Sequence, residues 1–203
     1  MKRKFLFAVA AILCAQIADP ASAKVIIKER TEYYRVSGKT GAQVYQQMRR
    51  NGPRIARSKD HYIATATINF SINNIDSYEW RNQCVIRNLD VVLNVVYRIP
   101  KWDRPKGVSR QLAGAWDNFL AHIWRHEKQH TRIAKETAYE LWRAIKGVKG
   151  TLSRKCNDMI GPAERRARLI YTRYDQKQAR FDASAFGDGG QQFRHDERLQ
   201  AAE

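Results

Sequence analysis

Cysteine is scarce in this chain, with three residues in 203, so no dense disulfide framework holds it together. None of the three has a second Cys or a His at ligand spacing, which argues against a structural zinc built on thiolates. Acidic residues are the second shortage: 20 Asp and Glu stand against 37 Lys and Arg, for a formal net charge of +17. That balance suits encounters with acidic substrates, anionic envelope polymers or phospholipid headgroups. The cations are scattered, however (Arg49-Arg50, Arg54, Arg57, Lys59, Arg104, Lys106, Arg165-Arg166, Arg168), as on a solubilising surface. No nucleic-acid-binding motif accompanies them, so nucleic acid is not an expected partner.

Long apolar runs are also missing, apart from Phe5 to Ala18, which is too short to span a bilayer. Lys2-Arg3-Lys4 precedes that run and Ala21-Ser22-Ala23 follows it, the pattern of a secretory signal peptide over residues 1–23. Cleavage after Ala23 leaves 34 basic and 19 acidic residues, a charge of +15, and no transmembrane segment. The expected location is secreted or periplasmic. Cys14 leaves with the signal, and the remaining pair, Cys84 and Cys156, reads as one disulfide in an oxidising compartment.

What is present after residue 23 orders itself as one domain over residues 24–186 with a polar, mobile tail over 187–203. Val25 to Val36 reads as a strand. Thr40 caps a helix whose apolar face is Val44, Tyr45 and Met48, and Asn51-Gly52-Pro53 ends it. Tyr62 to Ile72 alternates as a half-buried strand, with a loop from Asn73-Asn74 to Gln83. Val85 to Ile99 forms a long strand stopped by Pro100. A helix is expected from Ser109 to Lys146, because neither Gly nor Pro occurs between Gly114 and Gly147. A last helical region runs from Ser153 to Phe181 with a break at Gly161-Pro162. The fold class is α+β: a small antiparallel sheet with helices packed on one face.

The chemistry-bearing stretch lies on the long helix: His126-Glu127-Lys128-Gln129-His130. On a helix, residues four apart share a face, so the two imidazoles project side by side with Glu127 beside them. This is the H-E-x-x-H arrangement, in which both His bind zinc and the Glu handles the proton of a water. Both His continue the apolar stripe of Phe119, Ile123 and Ile133, so they point inward. A hydrogen-bonded packing pair is the alternative, but two buried titratable rings one turn apart are costly unless something binds them.

The order of elements together with Tyr33-Tyr34-Arg35-Val36-Ser37-Gly38-Lys39-Thr40, Asn51-Gly52-Pro53, Cys84, Ile99-Pro100-Lys101-Trp102, Trp116, the His-Glu-x-x-His, Cys156 and Phe181-Asp182 resembles a bacterial family of predicted secreted zinc-dependent proteases. The resemblance spans residues 33 to 182 and implies a zincin-like fold, a zinc cofactor and a peptide or protein substrate. In the family pattern a His-Gly follows the aromatic-Asp pair, whereas here Ala183-Ser184-Ala185-Phe186 precedes Gly187.

A catalytic zinc takes three protein ligands and one open position. Asp182, in the family's C-terminal signature, and Glu164, placed like the glutamate on a following helix in some zincins, are both candidates for the third. Glu136 lies about 80° around the helix from His126, out of reach, and Glu140 is farther. His195 falls in the tail. The alternative to a peptidase is a non-catalytic envelope protein on a degraded zincin scaffold, binding an acidic polymer or partner through its basic surface.

Overall fold

The computed structural model describes residues 24–54, 61–152, 156–186 and 191–203; the expected signal peptide, residues 1–23, lies outside them. The elements are β1 (Val25–Val36), α1 (Gly41–Asn51), β2 (Thr65–Trp80), β3 (Gln83–Trp102), α2 (Arg110–Ile145), β4 (Lys149–Thr151), α3 (Ile160–Phe186) and α4 (Gln191–Gln200). Strand β3 is the axis of the sheet, whose order is β1-β3-β2, with β4 pairing the start of β3. Alternate β3 residues Leu89, Val91, Leu93, Val95, Tyr97 and Ile99 are buried, while their neighbours Asn88, Asp90, Asn94 and Val96 are half-buried. That period of two puts one face under the helices and leaves the other toward solvent.

The α+β class and the one-sided helical layer are as the sequence leads one to expect, but the sheet is mixed rather than wholly antiparallel. β2 and β4 pair β3 antiparallel, whereas β1 pairs it in parallel register, Val25 opposite Val91 through Val36 opposite Trp102. The reason is connectivity: α1 and the whole of β2 intervene between β1 and β3, which provides the crossover that parallel neighbours need.

Two expected strand boundaries also move. The predicted loop after Ile72 is strand: β2 passes through an irregularity between Asn73 and Ser77, with Asn74 at φ 50°, and resumes pairing to Trp80 opposite Gln83. Pro100 does not stop β3. It sits beyond Arg98, the last β3 residue paired with β2, where β1 is the one remaining neighbour and a missing N–H is tolerated.

Helix α2, 36 residues and about 54 Å long, starts where Ser109 Oγ accepts from the Leu112 N–H at 3.0 Å. Its buried stripe includes Phe119, Ile123, Ile133 and Leu141. Helix α3 starts at Ile160, so Gly161 and Pro162 fall in its first turn, where a proline costs no helical hydrogen bond. Its residues Ala163, Ala167 and Ile170 are buried, and Tyr171 and Tyr174 pack on Phe70 of β2.

The C-terminal segment, expected as a mobile tail, forms α4 over residues 191–200, because its Leu199 finds a fully buried site worth about 2 kcal/mol. The Gly41 N–H donates to Ala202 O at 2.8 Å, and a Cβ on Gly41 would lie 1.7 Å from Leu199 O, so only glycine admits this contact. Residues 187–190 are outside the described set.

Cys84 and Cys156 form the expected disulfide, 72 residues apart, tying the start of β3 to the chain just before α3. Closing so long a loop contributes about 4 kcal/mol on the chain-entropy estimate. Replacing both (Cys84→Ser with Cys156→Ser) is therefore expected to lower the unfolding free energy by about that amount in a urea titration. An unchanged midpoint would show that the bridge carries no such load.

Candidate metal centre

His126 and His130 stand one turn apart on the inner face of α2, with ring centroids 4.7 Å apart and their Nε2 atoms 3.1 Å apart. Helix α3 brings Asp182 against them: its Oδ1 lies 3.0 Å from His130 Nε2 and 3.5 Å from His126 Nε2. The three ligand atoms all fall within 4.8 Å of one another. Atoms bound tetrahedrally at about 2.0–2.1 Å would stand about 3.3–3.4 Å apart, close to the separations present here, so the donor set fits a zinc ion.

Two further α3 residues fix the rings. Gln178, one turn before Asp182, places Oε1 2.6 Å from His130 Nδ1 and donates its Nε2 to His130 O at 3.2 Å. With the amide oxygen facing Nδ1, the proton sits on that nitrogen and the lone pair on Nε2, toward the other donors. Phe181 packs on both imidazoles, at 4.8 and 4.9 Å between centroids. Sequence reasoning missed Gln178; the signal available was its i, i+4 relation to Asp182 on a helix.

Glu127 is 5% exposed, and its carboxylate accepts from the Ala66 N–H of β2. Burial pushes its pKa up, against the opposing pull of the two His. Burial pulls His130 down, but Asp182, Gln178 and Glu127 together hold it above the usual imidazole range. Burial likewise favours the neutral form of Asp182, yet its hydrogen bonds to His126 and His130 and their charge keep it well below the carboxylate range.

The remaining sequence candidates are elsewhere. Glu164 is exposed at the other end of α3, about 27 Å along the axis from Asp182. Glu136 is exposed, and Glu140 pairs with Arg173. His195, on α4, stacks on His122 at 4.2 Å. His61 has Nδ1 2.7 Å from Gly52 O and accepts from Arg54 Nε at 2.6 Å, so both ring nitrogens are committed.

A cavity of about 380 Å³ opens beside Glu127 and His126, walled by Tyr45, Arg49, Tyr62 and Asp196. Within it the Tyr45 hydroxyl donates to Asp196 at 3.2 Å and is pushed up to about 12, by burial first and then by that carboxylate. A larger hollow of about 430 Å³ between β1 and α2 has no such ligand set among the described residues, and its Glu29 is paired with Lys135. β3 is central in the sheet, and β2 is the strand with an outer edge toward Glu127.

Without metal, the raised values of His130 and Glu127 mean that the folded chain holds their protons more tightly than the unfolded chain. Their stabilisation is complete below the unfolded values of 6.5 and 4.5 and is lost as pH rises through the folded ones. Asp182 works oppositely, its contribution being lost only as pH falls through its depressed value, below 3.8. In chelator, the melting temperature of the wild type relative to His130→Gln should therefore rise between about pH 8 and about pH 5. With zinc the sign reverses, because protons compete for the same nitrogens. A relative fall in chelator would contradict these shifts.

Residues 31–189, well over half of the chain, match the family described as bacterial protein of unknown function (DUF922). No curated protein and no solved structure matches the chain. All the residues of the centre lie within the matched span, and α4 lies outside it. The chain belongs to this family.

Proposed function

We propose, with membership of that family as the premise, that the chain is an exported zinc-dependent metallopeptidase in which His126, His130 and Asp182 hold the ion and Glu127 is the general base. The observation that carries the reading is the convergence of the three donor atoms within 4.8 Å beside a buried glutamate. When bound, zinc supplies Lewis acidity: it polarises a carbonyl oxygen and makes a water proton labile near neutral pH. Glu127, its carboxylate held by the Ala66 N–H, accepts that proton and passes it to the leaving amine. Burial raises the pKa of Glu127, which makes its carboxylate a stronger base for the first of these transfers.

Gln178 fixes the His130 tautomer that leaves Nε2 available, and Phe181 keeps water from that side of the rings. The outer edge of β2 offers main-chain partners to an extended peptide, with the cavity beyond Glu127 taking residues on the leaving side. The disulfide supports a secreted or periplasmic location, and among the described residues no helix is long and apolar enough to cross a membrane.

The second reading, a non-catalytic scaffold binding an acidic polymer, draws on the missing His after Asp182 and on the +15 charge of the chain without its first 23 residues. Asp182 itself answers the first point, since it supplies the third donor that the His would otherwise be needed for. Two measurements together separate the readings. Metal analysis of the purified protein should give one zinc per chain, and Glu127→Gln should retain it while peptide hydrolysis falls roughly 10²–10⁴-fold. Absence of zinc, or full activity in Glu127→Gln, would leave the scaffold reading standing.

A further inference from the structure

The β2–β3 hairpin ends in a two-residue turn, Arg81-Asn82, between the paired Trp80 and Gln83. Both turn residues have positive φ, 49° and 60°, as in a type I′ turn, where Asn and Gly are the favoured occupants. Asn82 suits the position. Arg81 does not: an L side chain of this size gains nothing from that conformation and is strained by it. An arginine kept at the tip of a hairpin against local preference points to a use for its side chain.

The surroundings say what use. Trp80 is 40% exposed, Tyr78 41%, and Leu152 38%. Tyr78 and Trp80 lie on one face of β2, two residues apart. Leu152 follows Thr151, which pairs Gln83, so it reaches the level of the turn. Cations sit over the rings: Arg81 is 4.4 Å and Lys149 4.9 Å from the Trp80 centroid, and Arg87 is 5.9 Å from Tyr78. Arg87 is paired with Asp76, while Arg81 and Lys149 have no carboxylate partner among the described residues. The tip thus joins amphipathic rings and an exposed leucine to two uncompensated positive charges. Ala66, the β2 residue at Glu127, is fourteen positions away, at most about 45 Å along the strand.

We infer that this hairpin tip is a peripheral docking site for an anionic phospholipid bilayer. Tryptophan and tyrosine settle where one end of the ring is apolar and the other wet, which is the headgroup boundary. Arg81 and Lys149 meet the lipid phosphates, their stems running along the indole. The net charge of the chain without its first 23 residues, +15, adds long-range attraction to the same surface. Docking there holds the candidate metal centre at the far end of β2, clear of the membrane. The inference does not depend on the peptidase reading, because none of its residues belongs to the metal centre.

The test is co-sedimentation of the chain, without its first 23 residues, with vesicles of phosphatidylcholine alone or of phosphatidylcholine with phosphatidylglycerol. Binding is expected only to the second kind, weakening as salt rises. Trp80→Ala combined with Arg81→Gly should lower the partition coefficient by about tenfold or more. Arg81→Gly alone should raise the melting temperature by a few degrees (about 2–4 °C), because it relieves the turn, while still weakening binding. Lys128→Ala with Arg132→Ala, on α2, and Glu127→Gln should bind like wild type. Equal binding to neutral vesicles overturns the inference. So does undiminished binding by the hairpin variant, an equal loss in the α2 variant, or displacement by soluble polyglutamate that ignores Trp80.

Discussion

One carboxylate between two imidazoles organises this molecule. Asp182 lies near the end of α3, and it meets His126 and His130 at 3.5 and 3.0 Å on the face of α2 turned to the interior. Burying two titratable rings one turn apart is unfavourable unless their polar atoms are matched. The matching groups come from a second helix, so α2 and α3 must lie side by side for either to be stable there. Their alignment is set farther back along the chain. The disulfide pins the entry to α3 against β3, and Tyr171 and Tyr174 seat the middle of α3 on Phe70. By the time α3 reaches Gln178 and Asp182, its direction is fixed at two points.

The sheet then holds Glu127, the base in the proposed function, which α2 itself carries. Glu127 would point into a sealed space were it not beside β2, whose Ala66 N–H it accepts. An antiparallel neighbour on that side of β2 would have consumed the N–H. Because β2 is the outer strand at this point, its backbone remains available both to hold the glutamate and to border the cavity. The groups that the proposed peptidase needs therefore converge from two helices and a strand edge. In that proposal the ligands come from two helices, the base from the helix that carries two of them, and the substrate border from a strand edge.

Much of this was legible in the sequence, and the failures have identifiable causes. Helix α2 and its paired His followed from the lack of breakers between Gly114 and Gly147 and from the four-residue spacing, both strictly local signals. The disulfide followed from counting. The third donor stayed divided between Asp182 and Glu164, because both lie on one helix and nothing local says which part of it lies level with the two His; the antiparallel alignment on α2, from Arg166 at Ala144 to Asp182 at His126, decides, and it is a tertiary fact. The parallel pairing of β1 was invisible for the same reason. Polar residues after Ile72 read as loop, yet the long partner strand β3 recruits them into the sheet. Helix α4 read as tail, since Leu199 is almost its only strongly apolar anchor and the pocket for it exists only once α1 and its Gly41 are in place.

The central claim is that Asp182, and not Glu164, completes the metal centre with His126 and His130. Calorimetric titration of zinc into metal-free protein tests it most directly, comparing wild type with Asp182→Ala and Glu164→Ala. One site per chain is expected, weakened about a hundredfold or more by Asp182→Ala and unchanged by Glu164→Ala, since an outer partner alone already accounts for 10–100-fold. Wild-type affinity in Asp182→Ala would contradict the account.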